Sequence, residues 1–357
     1  MSAQFYPIEV ERIERLTPDA VAIDFAVAPE HRELFAFHQG QHLTLEAQIQ
    51  GESVRRSYSI SCATRSGQLQ VGVKKIPGGA FSSFANESLK VGDVLQAMPP
   101  QGHFYTQMNP QQCKHYALIA AGSGITPLLS TAETVLSCEP DAKVTLLYAN
   151  KTSQSMMFKE RLSFLKNRYM SRFQWINVFT REEQDATVLN GRIDGERLHA
   201  LEAANVIQLD AFDEYMLCGP QQMILSVEEV LQQRGVSSES IHYELFYADA
   251  QEPVELSAEQ LADTSEKEVV VKASGRKLRL ALQGTGVDIL ESALEHGLDL
   301  PYSCKGGVCA TCKAKVISGE VRMDRNHSLT SQEVEQGYVL SCQAHPVSQR
   351  VEIDFDI

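Results

Sequence analysis

Tryptophan occurs once in this chain, and no apolar run comes near the ~20 residues that a membrane-spanning helix needs. The longest apolar stretch lies around Tyr116–Ala121 and is far too short. The N-terminal residues also lack the basic start, apolar middle and small-residue cleavage site of a signal peptide. A membrane or secreted protein is therefore not expected, and a reducing, cytoplasmic setting is. Basic residues are outnumbered 32 to 46, for a formal net charge of −14, which argues against nucleic acid as a partner. Glycine (22) and proline (13) are too scarce for a collagen-like or low-complexity chain. Eight cysteines in 357 residues are too few for a disulfide scaffold. Half of those cysteines lie between positions 304 and 342, and that crowding is the first lead.

The length suits two or three domains. Residues 1–107 alternate in short strand-like segments punctuated at Gly40, Gly51, Gly67, Gly92 and Pro99-Pro100, which predicts an antiparallel β-barrel or sandwich. From 108 to 248 the pattern changes. Apolar runs at 116–120, 144–148, 175–179 and 215–218 alternate with helical stretches, including one at Gln221–Gln233, as in a parallel α/β sheet. Residues 249–266 carry six acidic side chains and no basic one, which reads as a solvated linker. A last unit, 267–357, predicts a hairpin (269–271 with 278–282), a helix at 287–296, a short helix opened by the Thr330/Glu333 capping box, and a final strand at 351–357. The expected fold is thus multidomain: an antiparallel β-barrel, a parallel α/β domain and a C-terminal α+β domain.

Cys304, Cys309 and Cys312 followed by Cys342 make the C-x4-C-x2-C…C spacing of a plant-type 2Fe–2S cluster. Four thiolates must converge on two irons, and three of them sit on one tight loop. Gly306 and Gly307 permit unusual backbone angles and let amide N–H groups face the sulfurs. A zinc site is the rival. Zinc usually takes two C-x2-C pairs, whereas Cys342 stands alone and His345 would be a fifth candidate ligand.

Two further constellations suggest nucleotide cofactors. Arg56-Ser57-Tyr58-Ser59 is followed by Lys74 and the loop Gly78-Gly79-Ala80-Phe81-Ser82-Ser83. A guanidinium and backbone N–H groups suit a pyrophosphate, a tyrosine ring can stack on an isoalloxazine, and a serine hydroxyl can bond its N5. Gly122-Ser123-Gly124-Ile125-Thr126-Pro127 follows an apolar strand. It departs from the full dinucleotide fingerprint because Pro127 takes the third glycine's place. Thr126 is expected to N-cap the next helix with Pro127 at its first position. Cys218-Gly219-Pro220 ends another strand before a helix, which puts a thiol at the carboxyl edge of the sheet or simply in its core. Thr180-Arg181, helped by Lys151, suits a ribose 2′-phosphate, so NADPH is preferred over NADH as an expectation. Each of these charges also suits plain solvated surface.

Taken in order, Arg56-x-Tyr58-Ser59, Gly78-Gly79-x-x-Ser82, Gly122-x-Gly124-x-x-Pro127 and Cys218-Gly219-Pro220 resemble the ferredoxin–NADP reductase superfamily over residues 1–250. With a C-terminal plant-type ferredoxin unit of β-grasp fold, the whole chain resembles the reductase components of oxygenases. Val73-Lys74-Lys75-x-Pro77-Gly78-Gly79 and Ser155–Phe158 are similar to the reductases that serve phenylacetyl-CoA epoxidases in phenylacetate degradation. The resemblance implies FAD, NADPH and a 2Fe–2S cluster, with electrons passed to a separate oxygenase, a multi-subunit di-iron epoxidase. It implies that Arg56 holds the FAD pyrophosphate, Tyr58 stacks on the flavin and Ser59 sits near N5. Val73, Lys74, Gly79, Ala80, Phe81 and Ser82 would line the same cofactor. Gly122, Ser123, Gly124, Thr126 and Pro127 would hold the NADPH pyrophosphate, with Thr180, Arg181, Gly219 and Pro220 completing that site. Cys218 would lie near the nicotinamide C4, Glu244 would support the nicotinamide, and Phe246 would cover the other flavin face. Simple reductases end at that aromatic, whereas this chain continues from Phe246. The alternatives are a Rieske-type or steroid-hydroxylase partner, a redox-sensing protein without rapid turnover, and a zinc-stabilised C-terminal module.

The negative charge is unevenly spread. Residues 249–266 carry −6 and residues 267–357, with 11 basic and 12 acidic groups, carry −1, which leaves −7 on residues 1–248. Net charge does not mark the C-terminal unit for any one partner.

Overall fold

The computed structural model describes residues 4–246 and 264–356, so residues 249–263 of the expected linker lie outside the described residues. Two compact units divide the chain, one containing Pro7–Val54 and Tyr58–Phe246, the other the residues up to Tyr6, Arg55–Ser57 and the C-terminal stretch. Among the described residues, no helix is long and apolar enough to cross a membrane.

The first six strands are β1 (Tyr6–Thr17), β2 (Ala20–Ala26), β3 (His42–Ile49), β4 (Glu52–Ser59), β5 (Leu69–Lys74) and β6 (Val94–Ala97), in the sheet order β4-β3-β6-β1-β2-β5. The pairings of β1 with β2, β2 with β5 and β3 with β6 are antiparallel. An antiparallel bridge between Ile60 and Val71 links the end of β4 back to β5, so the sheet closes on itself. Closure removes the exposed edges that an open sheet would leave. Inward-facing Ile23, Leu43, Leu45, Ile60, Val71 and Val73 fill the interior and are completely buried. One helix, α1 (Ala80–Glu87), interrupts this all-strand expectation. Its only strong periodic signal is the buried set Phe81, Ser82, Ala85 and Asn86, which is too short to stand out in the sequence.

The next domain is a five-stranded parallel sheet of β7 (His115–Ala121), β8 (Lys143–Asn150), β9 (Phe173–Phe179), β10 (Glu214–Gly219) and β11 (Ile241–Leu245), in the order β11-β10-β7-β8-β9. Helices α2 (Ile125–Cys138), α3 (Lys159–Arg168), α4 (Gly195–Ala203) and α5 (Gln221–Gln233) make the crossovers. Both faces of such a sheet are covered, which is why β7, β8 and β10 read as unbroken apolar runs. The strand order reverses beside β7, so β7 and β10 diverge at their carboxyl ends into the crevice where ligands of open α/β sheets bind.

The barrel packs tightly on this domain. Ser130 Oγ in α2 donates to the Cys62 carbonyl at 2.7 Å, and Arg161 in α3 donates to Gln70 Oε1 in β5 at 2.7 Å. At Gly72 in β5 the approach is so close that a Cβ would stand 2.7 Å from Thr126 Cγ2 and 3.0 Å from the Phe158 ring.

The C-terminal unit is a mixed sheet of β12 (Glu266–Ala273), β13 (Arg276–Gln283), β14 (Lys313–Ser318), β16 (Tyr338–Leu340) and β18 (Arg350–Asp354), ordered β13-β12-β18-β14-β16, with β15 (Val321–Met323) and β17 (Ala344–Pro346) forming a small second sheet. Helix α6 (Ile289–Glu295) buries Ile289, Leu290 and Ala293 in its core. A second, short helix, α7 (Ser331–Glu335), carries both bonds of the Thr330/Glu333 capping box. Glu266 belongs to β12, opposite Gln283, so the strand begins inside the acidic stretch. Its charge sits at the end of a paired ladder, a position that hydropathy alone does not reveal.

Gly72→Ala should strain the seam between barrel and nucleotide sheet by about 1–3 kcal/mol, the usual cost of overpacking. The expected result is a lower urea midpoint for the half that contains the barrel and the parallel sheet; an unchanged midpoint would mean that the seam yields freely.

Candidate functional site

Three adjacent parallel strands reach the crevice in step. Cys218 in β10 stands in register with Ala120 in β7 on one side and with Glu244 in β11 on the other. From the barrel, Ser59 at the end of β4 donates its hydroxyl to Glu244 Oε2 at 2.9 Å. Ser59 and Glu244 are 185 positions apart in the sequence, and the fold gathers them with Cys218. A hydrogen bond to a charged acceptor in a part-buried place contributes about 1.5–3 kcal/mol. Cys218 itself is wholly buried. Burial pushes its thiol well above the ordinary range and the nearby Glu244 adds to the shift, so this sulfur stays protonated. Phe246, just past β11, packs partly buried on the apolar cluster that contains Cys218.

Sequence reasoning missed one member of this group. His42, the first residue of β3, is 4% exposed, and its Nδ1 lies 3.8 Å from Glu244 Oε1. Only long-range contact puts it there, and no local motif announces it.

The turn after β7 departs in detail from expectation. Gly122–Gly124 form a 3-10 turn that runs directly into α2, with Gly124 as the N-cap. Thr126 is therefore inside the helix rather than at its cap. Its hydroxyl donates back to the Ser123 carbonyl at 3.0 Å, and its methyl meets Gly72. Pro127 follows within the first turn, where a missing N–H costs nothing. Thr126 and Pro127 are buried, whereas Gly122 and Ser123 remain partly exposed at the mouth. Gly124 cannot be replaced without distortion, because a Cβ there would lie 2.1 Å from the Cys218 carbonyl oxygen. Gly219 follows Cys218, where a Cβ would lie 3.1 Å from Ala121 Cβ, and Pro220 caps α5.

Thr180 and Arg181 leave β9 beside the end of β8. Their N–H groups donate to the carbonyls of Asn150 and Lys151 at 3.0 and 2.9 Å. Lys151, Thr180 and Arg181 are all exposed, and neither cation has an acidic partner among the described residues.

On the barrel, the Tyr58 ring is half-buried and backed by Phe81, with ring centroids 5.4 Å apart. Phe81 is 1% exposed, so it supports the tyrosine and presents little surface of its own. Val73 points into the barrel core, and its carbonyl accepts from Asn86 Nδ2 at 3.2 Å. Lys74 is partly exposed and lies 3.6 Å from Asp19. Gly79 caps α1, so the N–H groups of Ala80 and its successors begin a helix, as an anion requires. The Ser82 hydroxyl is taken up inside this turn, accepting from Ile76 N at 3.1 Å and donating to the Gly79 carbonyl at 3.2 Å. Arg56 is exposed on β4 and spends one N–H on its neighbour's carbonyl. An aromatic face, an exposed guanidinium and a helix start fit a flavin dinucleotide.

In the C-terminal unit the four cysteines converge. Cys312 and Cys342 sulfurs lie 3.3 Å apart in the core. Gly306 N donates to Cys304 Sγ at 3.3 Å. A hydrogen bond from Cys309, with backbone N–H groups of Gly306, Val308 and Cys309, draws the Cys304 thiol down to about 5. Its partner Cys309 is pushed up by that same bond and by burial, and Cys312 is pushed up likewise beside Cys342. The backbone bends into the left-handed region at Lys305, Gly307 and Ala310, whereas Gly306, expected to do so, does not. Two of the three are not glycines, and strain of that kind persists only where the surroundings impose it. Among the described residues, no three or more Cys, His, Asp or Glu side chains gather closely enough to hold a single ion. The thiols draw together in twos, which suits two bridged irons better than one zinc. His345 turns away to Asp324, with Nε2 3.0 Å from Oδ2.

Comparison with known proteins agrees. Three family models match in chain order: oxidoreductase FAD-binding domain at 7–105, oxidoreductase NAD-binding domain at 118–229 and 2Fe–2S iron–sulfur cluster binding domain at 275–347. The chain is 44% identical to one of the subunits of the 1,2-phenylacetyl-CoA epoxidase of Escherichia coli (strain K12), covering 99% of this chain and 98% of that protein. It is 32% identical to the ferredoxin reductase component of 3-ketosteroid-9-alpha-monooxygenase of Rhodococcus rhodochrous, covering 98% and 96%. Among solved structures, phthalate dioxygenase reductase shares the fold with a TM-score of 0.60 at 20% identity, covering 98% of each chain.

Cys309→Ser should abolish the visible absorbance of the iron–sulfur cluster. Flavin-dependent reduction of ferricyanide should persist. Unchanged cluster absorbance would remove Cys309 from the ligand set.

Proposed function

Since the chain belongs to the family of oxygenase reductase components built from FAD-binding, NAD-binding and 2Fe–2S domains, we propose that it carries electrons from NADPH to the multi-subunit di-iron oxygenase of a phenylacetyl-CoA epoxidase. The observation that carries this reading is the 44% identity sustained over 99% of the chain. When bound, the flavin accepts electrons from the nicotinamide in a pair and the cluster releases them singly.

The chain's own residues do the rest. Arg56 and the start of α1 hold the FAD pyrophosphate, with Val73, Lys74, Gly79, Ala80, Phe81 and Ser82 shaping that wall mainly through backbone and packing. Tyr58, held by Phe81, stacks on the isoalloxazine. Ser59 and Glu244 offer a hydroxyl and a carboxylate at its edge. Gly122, Ser123 and Gly124 admit the NADPH pyrophosphate to the start of α2, and Thr126, Pro127, Gly219 and Pro220 fix the walls. Cys218 lines the nicotinamide side, and Phe246 closes the opposite flavin face. Thr180 and Arg181 meet the 2′-phosphate. Cys304, Cys309, Cys312 and Cys342 ligate the irons. The cytoplasm is the proposed location, because those thiols must stay reduced until they are ligated.

Reconstitution tests the partner. With NADPH and the purified di-iron epoxidase component, the protein should support epoxidation of phenylacetyl-CoA. Turnover with a steroid hydroxylase or Rieske-type oxygenase instead, and none with the epoxidase, would favour the partner class suggested by the 3-ketosteroid relative. Arg181→Ala should raise the KM for NADPH about tenfold, the worth of one charge-assisted contact, and leave that for NADH unchanged. An equal rise for both would show that Arg181 does not read the 2′-phosphate.

A further inference from the structure

We propose that His42 is a positioning residue for the flavin site, acting through Glu244; this rests on the reading that the Ser59–Glu244 pair borders the flavin ring. Glu244 has two carboxylate oxygens, and they are divided between two elements of the barrel. Oε2 accepts from Ser59 Oγ at 2.9 Å, while Oε1 faces His42 Nδ1 at 3.8 Å. The second distance is too long for a formed hydrogen bond but short enough for one to close with a small rotation, as polar contacts in ligand-free sites commonly do.

The histidine is held for this purpose from three sides. Its backbone N–H donates to the Gln101 carbonyl at 2.9 Å, and its carbonyl accepts from Gln101 N at 3.0 Å. Residue 102 is glycine, and a Cβ there would stand 3.0 Å from His42 Nδ1 and 3.3 Å from Cε1. A side chain at residue 102 would therefore crowd the Nδ1 edge of the ring. Its other nitrogen, Nε2, is buried without any hydrogen-bond partner. A buried N–H left unpaired costs more than a bare lone pair that can relax. An N–H is thus best placed on Nδ1, the nitrogen that faces Glu244. His42 then holds the carboxylate from the side that Ser59 leaves free and fixes its rotation. Among the described residues, His42 of β3, Ser59 of β4 and Cys218 of β10 are the titratable and polar groups that face Glu244 from the packed elements. Ser59 and His42 thus face the two carboxylate oxygens from two strands of the barrel.

The test compares wild type, His42→Leu, His42→Asn and Glu244→Gln, each as the holoprotein with flavin content checked. Asparagine places an amide N–H near the position of Nδ1; leucine fills the space without a donor. The readouts are the pH dependence of the flavin midpoint potential and the rate of flavin reduction by NADPH in stopped flow. The pH inflection that Glu244→Gln removes should move by about one pH unit in His42→Leu, the usual effect of a lost donor, and stay near wild type in His42→Asn. In the Glu244→Gln background, His42→Leu should have no further effect on either readout. An unmoved inflection in His42→Leu, equal shifts with leucine and asparagine, or effects that add in the double variant would each overturn the proposal. A wild-type flavin that NADPH does not reduce would overturn the functional reading instead, and the two failures are distinct.

Discussion

The register of β10 between β7 and β11 is the constraint on which the site depends. It sets Ala120, Cys218 and Glu244 at one height at the carboxyl edge of the sheet. A slip of one residue would turn each side chain to the opposite face. The register is pinned by packing, since Met216, Leu217 and Cys218 are all fully covered, on both faces of the sheet, and none can reverse without repacking the core. The hydrogen bond from Ser59 then ties this edge to the barrel. The edge residues of two different architectures thus share one small volume.

Close backbone approach is the second means of holding that volume. Gly72 admits Thr126 and the Phe158 ring, and Gly124 admits the Cys218 carbonyl. Both contacts replace a side chain with main chain, so neither position can drift without losing packing on both sides. That rigidity offsets the modest worth of each polar contact. A single hydrogen bond of about 2 kcal/mol does not fix a domain angle by itself, but it selects among the few arrangements that packing leaves.

The legibility of the site follows the sequence distance between its parts. Three cluster ligands lie within nine positions, so spacing alone revealed them, and the matching of strands 116–120, 144–148, 175–179 and 215–218 to β7 to β10 rested on the same local signal. The Gly122–Pro127 turn was recognisable as a strand-to-helix junction, but its three-residue 3-10 start was not, because so short a stretch of tighter winding leaves no mark in composition. The left-handed bends at Lys305 and Ala310 were equally hidden, since neither residue type favours them. His42 was invisible for a different reason. Its meaning comes from Glu244, far along the chain on another domain's sheet, and from the empty space at Gly102. Only Glu244 was approached from the sequence, and then through resemblance rather than through any property of the residue.

Charge around the cluster loop has its own logic. Lys305 pairs with Glu291, Lys313 with Glu333 at 3.0 Å, and Arg322 with Asp324, which also holds His345. Most cations that flank the loop thus have their counter-charge within the same unit. Paired surface charges project little field beyond a Debye length of about 8 Å at physiological salt. With the unit as a whole near neutrality, steering by net charge would be feeble. Recognition of an acceptor protein must then come from short-range shape and from groups that exchange their present partners on contact. An ion pair at an interface that merely replaces an ion pair in the free protein contributes little net affinity, but it orients the two surfaces. Orientation is what single-electron transfer over a short gap demands, and a weakly held complex can part once the donating unit has been oxidised.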